Sequence, residues 1–388
     1  MIPLSIPNFE GNEKKYVDDA IDQGWVSTGG LYITKLENEL AKFLNTQNVA
    51  ACQSGTSAIH LALVEAGIGQ GDVVLVPPLT FIAAVNPVKY QFATPVFIDC
   101  DNSLCIDPVK IEGFCEKECT FNGKTLFYQE KVVKAIIVVH VFGNMADMVA
   151  ILAIAKRYNL IIIEDATEAL GTKYTNGSLA GNYAGTIGDY GCFSFNGNKI
   201  ITTGGGGAIT AKNAKAVDHI RYLSTQAKND THYYIHHEIG YNYRMTNIQA
   251  ALGVAQLEEL PEFIRRKRAN YEVYKKLLDG FELGRLVSFR KGVYSNKWFY
   301  SIEIDKERVH ASMRDIITLL QQRGIETRAI WGLINEQIPY RDIFSYKLEM
   351  APLYASRILN LPSSTQITKE EIIYVVNQLK MVLEGFLK

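Results

Sequence analysis

The chain has 388 residues, a length that suggests two domains, or at most three, at roughly 150 residues each. Apolar residues make up 47% and charged residues 21%, which supports a large packed core and excludes global disorder. Lys and Arg total 40 against 41 Asp and Glu, so the net charge of -1 excludes coating nucleic acid or an anionic membrane by bulk electrostatics.

The opening MIPLSIPNFEGNEKK has neither the basic nor the apolar region of a signal peptide. No later run reaches the ~18 apolar residues of a membrane span, so a cytoplasmic protein is expected. A helical pattern over Ile59–Ala66 follows the turn Ser54-Gly-Thr-Ser-Ala58. Asp72–Val76 reads as a buried strand, Thr80–Tyr90 as helical and Thr94–Ile98 as a second strand. Cys100, Cys105, Cys115 and Cys119 cluster without metal-ligand spacing and with no His among them. Six cysteines in all are too few for a disulfide framework, so free thiols and no metal are expected. Lys134–Val141, helical Met148–Tyr158 and the strand Leu160–Ile163 continue the alternation. Continuous apolar strands imply burial on both faces, hence an α/β fold with a mostly parallel sheet. Tyr222, His232 and the His236-His237 pair lie in a polar stretch that reads as a loop and receives no role. A helical stretch from Thr246 is expected to break near Pro261 and resume through Tyr274. An alternating strand (Lys297–Ile304) and helices near His310–Arg323 and Lys369–Phe386 complete the chain. The expected division is a large α/β domain over 1–260 and a smaller α+β domain over 261–388.

Three segments carry chemistry. Ser54–Ala58 places glycine and hydroxyl residues at a helix start, which suits a phosphate cup or a plain helix cap. Glu164-Asp165 ends a buried strand, the sheet edge where ligands of open α/β proteins bind. An acid there can cap a helix, bind a metal or pair with a cationic ring nitrogen. Lys199 lies between the apolar Gly191–Phe195 and Gly204-Gly-Gly-Gly207, and a solvated surface lysine is the bland alternative. Gly197-Asn-Lys199-Ile does not match a P-loop, and the glycine run does not open a helix as a dinucleotide fingerprint requires. Pyridoxal phosphate fits all three segments, since it needs a lysine, a carboxylate and a phosphate cup.

The sequence resembles the sugar-nucleotide aminotransferases of the DegT–DnrJ–StrS type, within the fold-type I pyridoxal phosphate enzymes. The likeness is carried by Ser54-Gly-Thr-Ser-Ala58, Pro77-Pro-Leu-Thr-Phe81, Glu164-Asp-Ala-Thr-Glu-Ala-Leu-Gly171, Ser194-Phe-Asn-Gly-Asn-Lys199 and Gly240-Tyr-Asn-Tyr-Arg-Met245. The resemblance implies that Lys199 forms the Schiff base and shuttles a proton, in a ping-pong cycle through an internal aldimine. It implies that Asp165 partners the pyridine nitrogen and that Gly55, Thr56, Ser57 and Ser194 hold the phosphate. Phe81 matches the aromatic that stacks on the cofactor, and Glu168 stands where many relatives carry Gln or His near its phenolic oxygen. Asn242 matches an asparagine that reaches the neighbouring subunit's cofactor, which implies a homodimer with shared active sites. Family members that act as 3-dehydratases have histidine in place of the lysine, so Lys199 argues for amino transfer.

The pattern Phe195–Gly207 looks most like the branch aminating C4 of nucleotide-linked 4-keto-6-deoxy-N-acetylhexosamines, of the legionaminic acid and bacillosamine type. L-glutamate is then the donor and UDP the expected nucleotide, with the amino sugar destined for surface glycans. C3 amination is the alternative, and a cofactor-binding regulator without turnover the more distant one. Arg244 and Trp331 are candidates for the substrate pocket, against a structural salt bridge for the first and core packing for the second.

Overall fold

The apolar runs become strands buried on both faces, with Val73–Val76 and Ala135–Val138 fully enclosed. In the computed structural model, which describes residues 1–230 and 232–387, they form one large sheet. Its order is Val49–Cys52, Gly207–Ala211, Tyr190–Ser194, Ile161–Asp165, Lys131–Val139, Asp72–Val76, Thr94–Ile98 and Ser345–Tyr346. Along this order all neighbours pair parallel except Gly207–Ala211, which is antiparallel to both of its partners, and a hairpin of Cys119–Phe121 and Leu126–Tyr128 adds antiparallel to Lys131–Val139. The parallel strands therefore end at one edge, where Cys52 and Ser194 both register with Gly207 and Asp165 with Cys192. Three separated stretches of sequence meet there.

A second sheet of four antiparallel strands runs in the order Gly284–Leu286, Tyr300–Ile304, Ile358–Leu361, Arg328–Ala329. Helices Met313–Gln322 and Lys369–Glu384 give it a separate core built on Tyr274, Tyr300, Ile302, Leu320 and Leu379.

One helix, Asn247–Leu277, serves both cores. Thr246 and Gln249 form its capping box. The break expected at Pro261 is absent, because Pro261 faces solvent while its neighbours are held by packing. Leu260, Phe263 and Ile264 pack into the first core and Tyr271 and Tyr274 into the second, which outweighs the local cost of proline, about 3 kcal/mol. The boundary expected at 260/261 thus falls inside a helix. Ile330, Leu333, Tyr346 and Tyr354, placed by that division in the second domain, pack with the first core.

The Thr80–Tyr90 pattern resolves into a 3-10 turn, Ile82–Ala84, and a short helix, Asn86–Tyr90, with Pro87 in its first turn. Helices Glu13–Asp22 and Leu31–Phe43, unforeseen in the sequence, pack on the long helix. All six cysteines are free thiols. Among the described residues no helix is long and apolar enough to cross a membrane, and no cluster of metal-ligating side chains occurs.

Candidate active site

Ser54 realises the helix cap: its Oγ accepts the Ser57 N–H at 3.0 Å and pairs with the Ser57 Oγ at 2.7 Å. The first N–H groups of the Gly55–Glu65 helix have no acceptor within the helix, and Gly55 and Thr56 line a cavity of about 510 Å³. A Cβ on Gly55 would lie 2.9 Å from Ser194 Cβ and from Thr167 Cγ2, so only glycine lets the helix start approach the sheet edge this closely. Gly207 is constrained likewise, since its Cβ would sit 2.6 Å from the Ser54 carbonyl carbon.

The two acids at the end of the Ile161–Asp165 strand face opposite ways, as the two-residue strand period requires. Glu164 turns inward, accepting N–H groups from Gly185, Ile187 and Gly188 at 3.0, 2.7 and 2.5 Å and pairing with His140 Nε2 at 2.8 Å. Asp165 faces the cavity, with Oδ1 accepting the Thr167 N–H at 3.1 Å. Burial raises the Asp165 pKa, opposed by the Thr167 hydrogen bonds and by the positive charge of Lys199.

Glu168 is the second acid of the site. Its Oε2 accepts the Phe142 N–H at 2.8 Å, and its Oε1 lies 3.6 Å from Lys199 Nζ. Burial pushes this carboxyl up to about 7, with Lys199 holding it lower than burial alone would. Lys199 is shielded above by Trp298, whose ring centroid is 4.2 Å from Nζ and whose indole N–H donates to Asn198 O at 2.9 Å. Lys199 is therefore a lysine that meets the buried Glu168 carboxyl and an indole face and shares the cavity with Asp165, and not a solvated one.

The structure thus brings Gly55, Thr56, Phe81, Asp165, Glu168, Ser194, Lys199 and Trp331 around one cavity. Phe81 is 57% exposed at its mouth, and Trp331 both lines the wall and packs on Phe142 at 4.9 Å between ring centroids. Ser57 stands behind the cup on Ser54. Arg244 does not reach the cavity: its guanidinium bonds Glu37 Oε1 at 2.5 Å and Ala51 O at 3.1 Å, the structural ion pair. Asn242 is exposed and also outside the lining. Sequence reasoning missed Thr167, Trp298, Arg328 and Asn360. Of these only Thr167 lay within a recognised motif; Arg328 and Asn360 come from distant strands of the second sheet and Trp298 from the segment just before one, and none has a local signature.

This donor set fits pyridoxal phosphate. An amine, a buried carboxylate beside it and an N–H and hydroxyl cup closed by Gly55 are its three requirements, in a cavity large enough to take it. Residues 7–380 match the model of the DegT/DnrJ/EryC1/StrS aminotransferase family. The chain belongs to that family. It is a pyridoxal phosphate-dependent sugar-nucleotide aminotransferase. It is 38% identical to GDP-perosamine synthase of Escherichia coli O157:H7 over 96% of each chain, and 36% identical to GDP-perosamine synthase of Caulobacter vibrioides over 98% of each. The fold matches Spr1654 from Streptococcus pneumoniae, solved in a PMP form, with a TM-score of 0.87 at 24% identity over 100% of both chains.

Proposed function

We propose that this enzyme transfers the amino group of L-glutamate to C4 of a GDP-linked 4-keto-6-deoxyhexose, acting in the cytoplasm as a homodimer. Lys199 beside Glu168 and Trp298, in one open cavity with Asp165, is the observation that carries amino transfer. GDP and C4 are favoured by the names of the two relatives above. They displace the UDP-linked N-acetylhexosamine expected from the Phe195–Gly207 pattern, which becomes the competing substrate.

Gly55, Thr56 and Ser194 would hold the cofactor's phosphate, Asp165 its ring nitrogen, Phe81 one ring face and Lys199 its aldehyde carbon. Bound there, pyridoxal phosphate supplies an electron sink for the carbon that loses a proton. Among the described residues, Lys199 Nζ is the one amine lining the cavity, placed to take that proton and return it. Glu168 Oε1, beside it, can accept or return a proton as the amine changes state. Trp298 keeps water from the upper side of Nζ. At the mouth, the guanidinium of Arg328 suits a diphosphate through charge-assisted hydrogen bonds, and Trp331 offers a flat face to a sugar or base. The exposure of Asn242 agrees with a role at a neighbouring subunit's site.

The test supplies the pure enzyme with pyridoxal phosphate and L-glutamate, then with either a GDP-4-keto-6-deoxyhexose or a UDP-4-keto-6-deoxy-N-acetylhexosamine. The expected result is 2-oxoglutarate and an aminated GDP-sugar, with nitrogen at C4 by NMR. Amination of the UDP-sugar alone overturns the nucleotide assignment. Nitrogen at C3 overturns the position, and no 2-oxoglutarate overturns the donor.

A further inference from the structure

The buried stripe of the long helix carries Leu260, Phe263, Ile264, Tyr271 and Tyr274, and its helical spacing puts Lys267 in the middle of it. Lys267 is 3% exposed, and burial, with no charged partner offsetting it, pushes its amine down to about 7. An apolar residue is the ordinary occupant of such a position, because an ammonium loses its hydration there. Two backbone carbonyls replace that water: Nζ donates to Trp298 O at 2.8 Å and to Ser363 O at 2.5 Å.

These two carbonyls stand where the second sheet stops. Tyr300 pairs with Leu361 in antiparallel register, and continuing the same register would set Trp298 opposite Ser363. The Lys267 amine occupies that rung instead. The two strands part around it: Ser363 N–H turns to Leu4 O at 2.8 Å, and Trp298 leaves the sheet to lie over Lys199. The node is fixed from both sides, since Tyr300 Oη donates to Lys267 O at 2.8 Å and Tyr274 Oη to Pro362 O at 3.0 Å.

We propose that Lys267 is a positioning residue, whose amine ends the strand pairing and so places the Trp298 indole over Lys199. The inference uses the geometry around Lys199 and no substrate assignment. Its first readout therefore needs neither cofactor nor sugar. Cofactor-free protein is treated with a small acylating reagent, and labelling of Lys199 is followed by peptide mass spectrometry against exposed Lys14 as reference. Lys267→Met is expected to raise the Lys199 rate severalfold, Trp298→Leu to raise it as much, and the double variant to add nothing further. Lys267→Arg, which keeps two donors for the carbonyls, is expected to restore the slow rate. In the holoenzyme Lys267→Met should lower kcat by on the order of 10- to 100-fold with little change in the KM for donor, as for a displaced group near the reacting atoms. A folded Lys267→Met of lower melting temperature but wild-type Lys199 labelling would show a merely structural lysine and overturn the proposal. If that variant does not fold, Lys267→Gln, which retains one amide donor, takes its place: faster Lys199 labelling supports the proposal and wild-type labelling overturns it.

Discussion

Glu168 is the residue whose chemistry differs most from its surroundings. It is buried, faces Lys199 and is a carboxyl where an amide would meet the Phe142 N–H equally well. Its folded pKa of about 7 lies above the ordinary 4.5, so the unfolded chain gives up this proton more readily than the folded one. Ionisation therefore opposes folding: the effect is absent below pH 4.5, grows as pH rises and is complete above pH 7. Glu168→Gln should stabilise the cofactor-free protein at pH 8 by on the order of 1–3 kcal/mol and leave it nearly unchanged at pH 4.5. Denaturant midpoints at the two values test this, and an equal gain at both would mean that the carboxyl does not titrate between them. At this scale the sequence was most readable where one short segment carries the chemistry. Asp165 and Lys199 were evident because each ends a strand or loop within a compact motif. Arg244 stayed between substrate pocket and structural ion pair in the sequence, because its partner, Glu37, lies on a helix that the sequence pattern did not announce. Trp298 was missed because its value comes from Lys199, reached only through tertiary folding.

Elements were legible in proportion to how strongly burial marks them. Asp72–Val76, Thr94–Ile98, Ile161–Asp165 and the later half of Lys131–Val139 are covered on both faces and so appear as unbroken apolar runs. Strands such as Ser345–Tyr346 are two residues long and leave no period to detect. Pro261 shows the opposite failure, a strong local signal overruled by packing on either side. Its missing N–H still leaves the Leu257 carbonyl without its usual helical donor. Pro261→Ala is accordingly expected to stabilise the fold by about 1–3 kcal/mol, read as a raised urea midpoint at unchanged slope. No gain would mean that the helix backbone has already adapted to the ring.

For the molecule as a whole, the exposed Trp25, Phe81, Tyr233 and Ile239 accompany an Asn242 that lies outside its own subunit's cavity. If Asn242 serves a neighbouring site, Lys199→Ala and Asn242→Ala subunits should each be inactive alone. Mixed and reassembled, they should regain activity, because one site of each hybrid has both side chains. Failure of hybrids to regain it, with hybrid formation shown by native mass spectrometry, would leave each active site within one subunit.

The long helix also sets how the cleft can move. Hinge bending needs a few residues with free φ and ψ, usually in a loop. Here one crossing between the two cores is the middle of a 31-residue helix. The chain also crosses between Ile2 and Leu4, Leu286 and Val287, Phe299 and Tyr300, Ile325 and Ile330, and Ile358 and Leu359, and the Ser345–Tyr346 strand is bonded to the large sheet. No single swivel joins the halves that carry Lys199 and Arg328. The two walls of the cleft are therefore expected to keep a nearly constant separation as a sugar nucleotide enters.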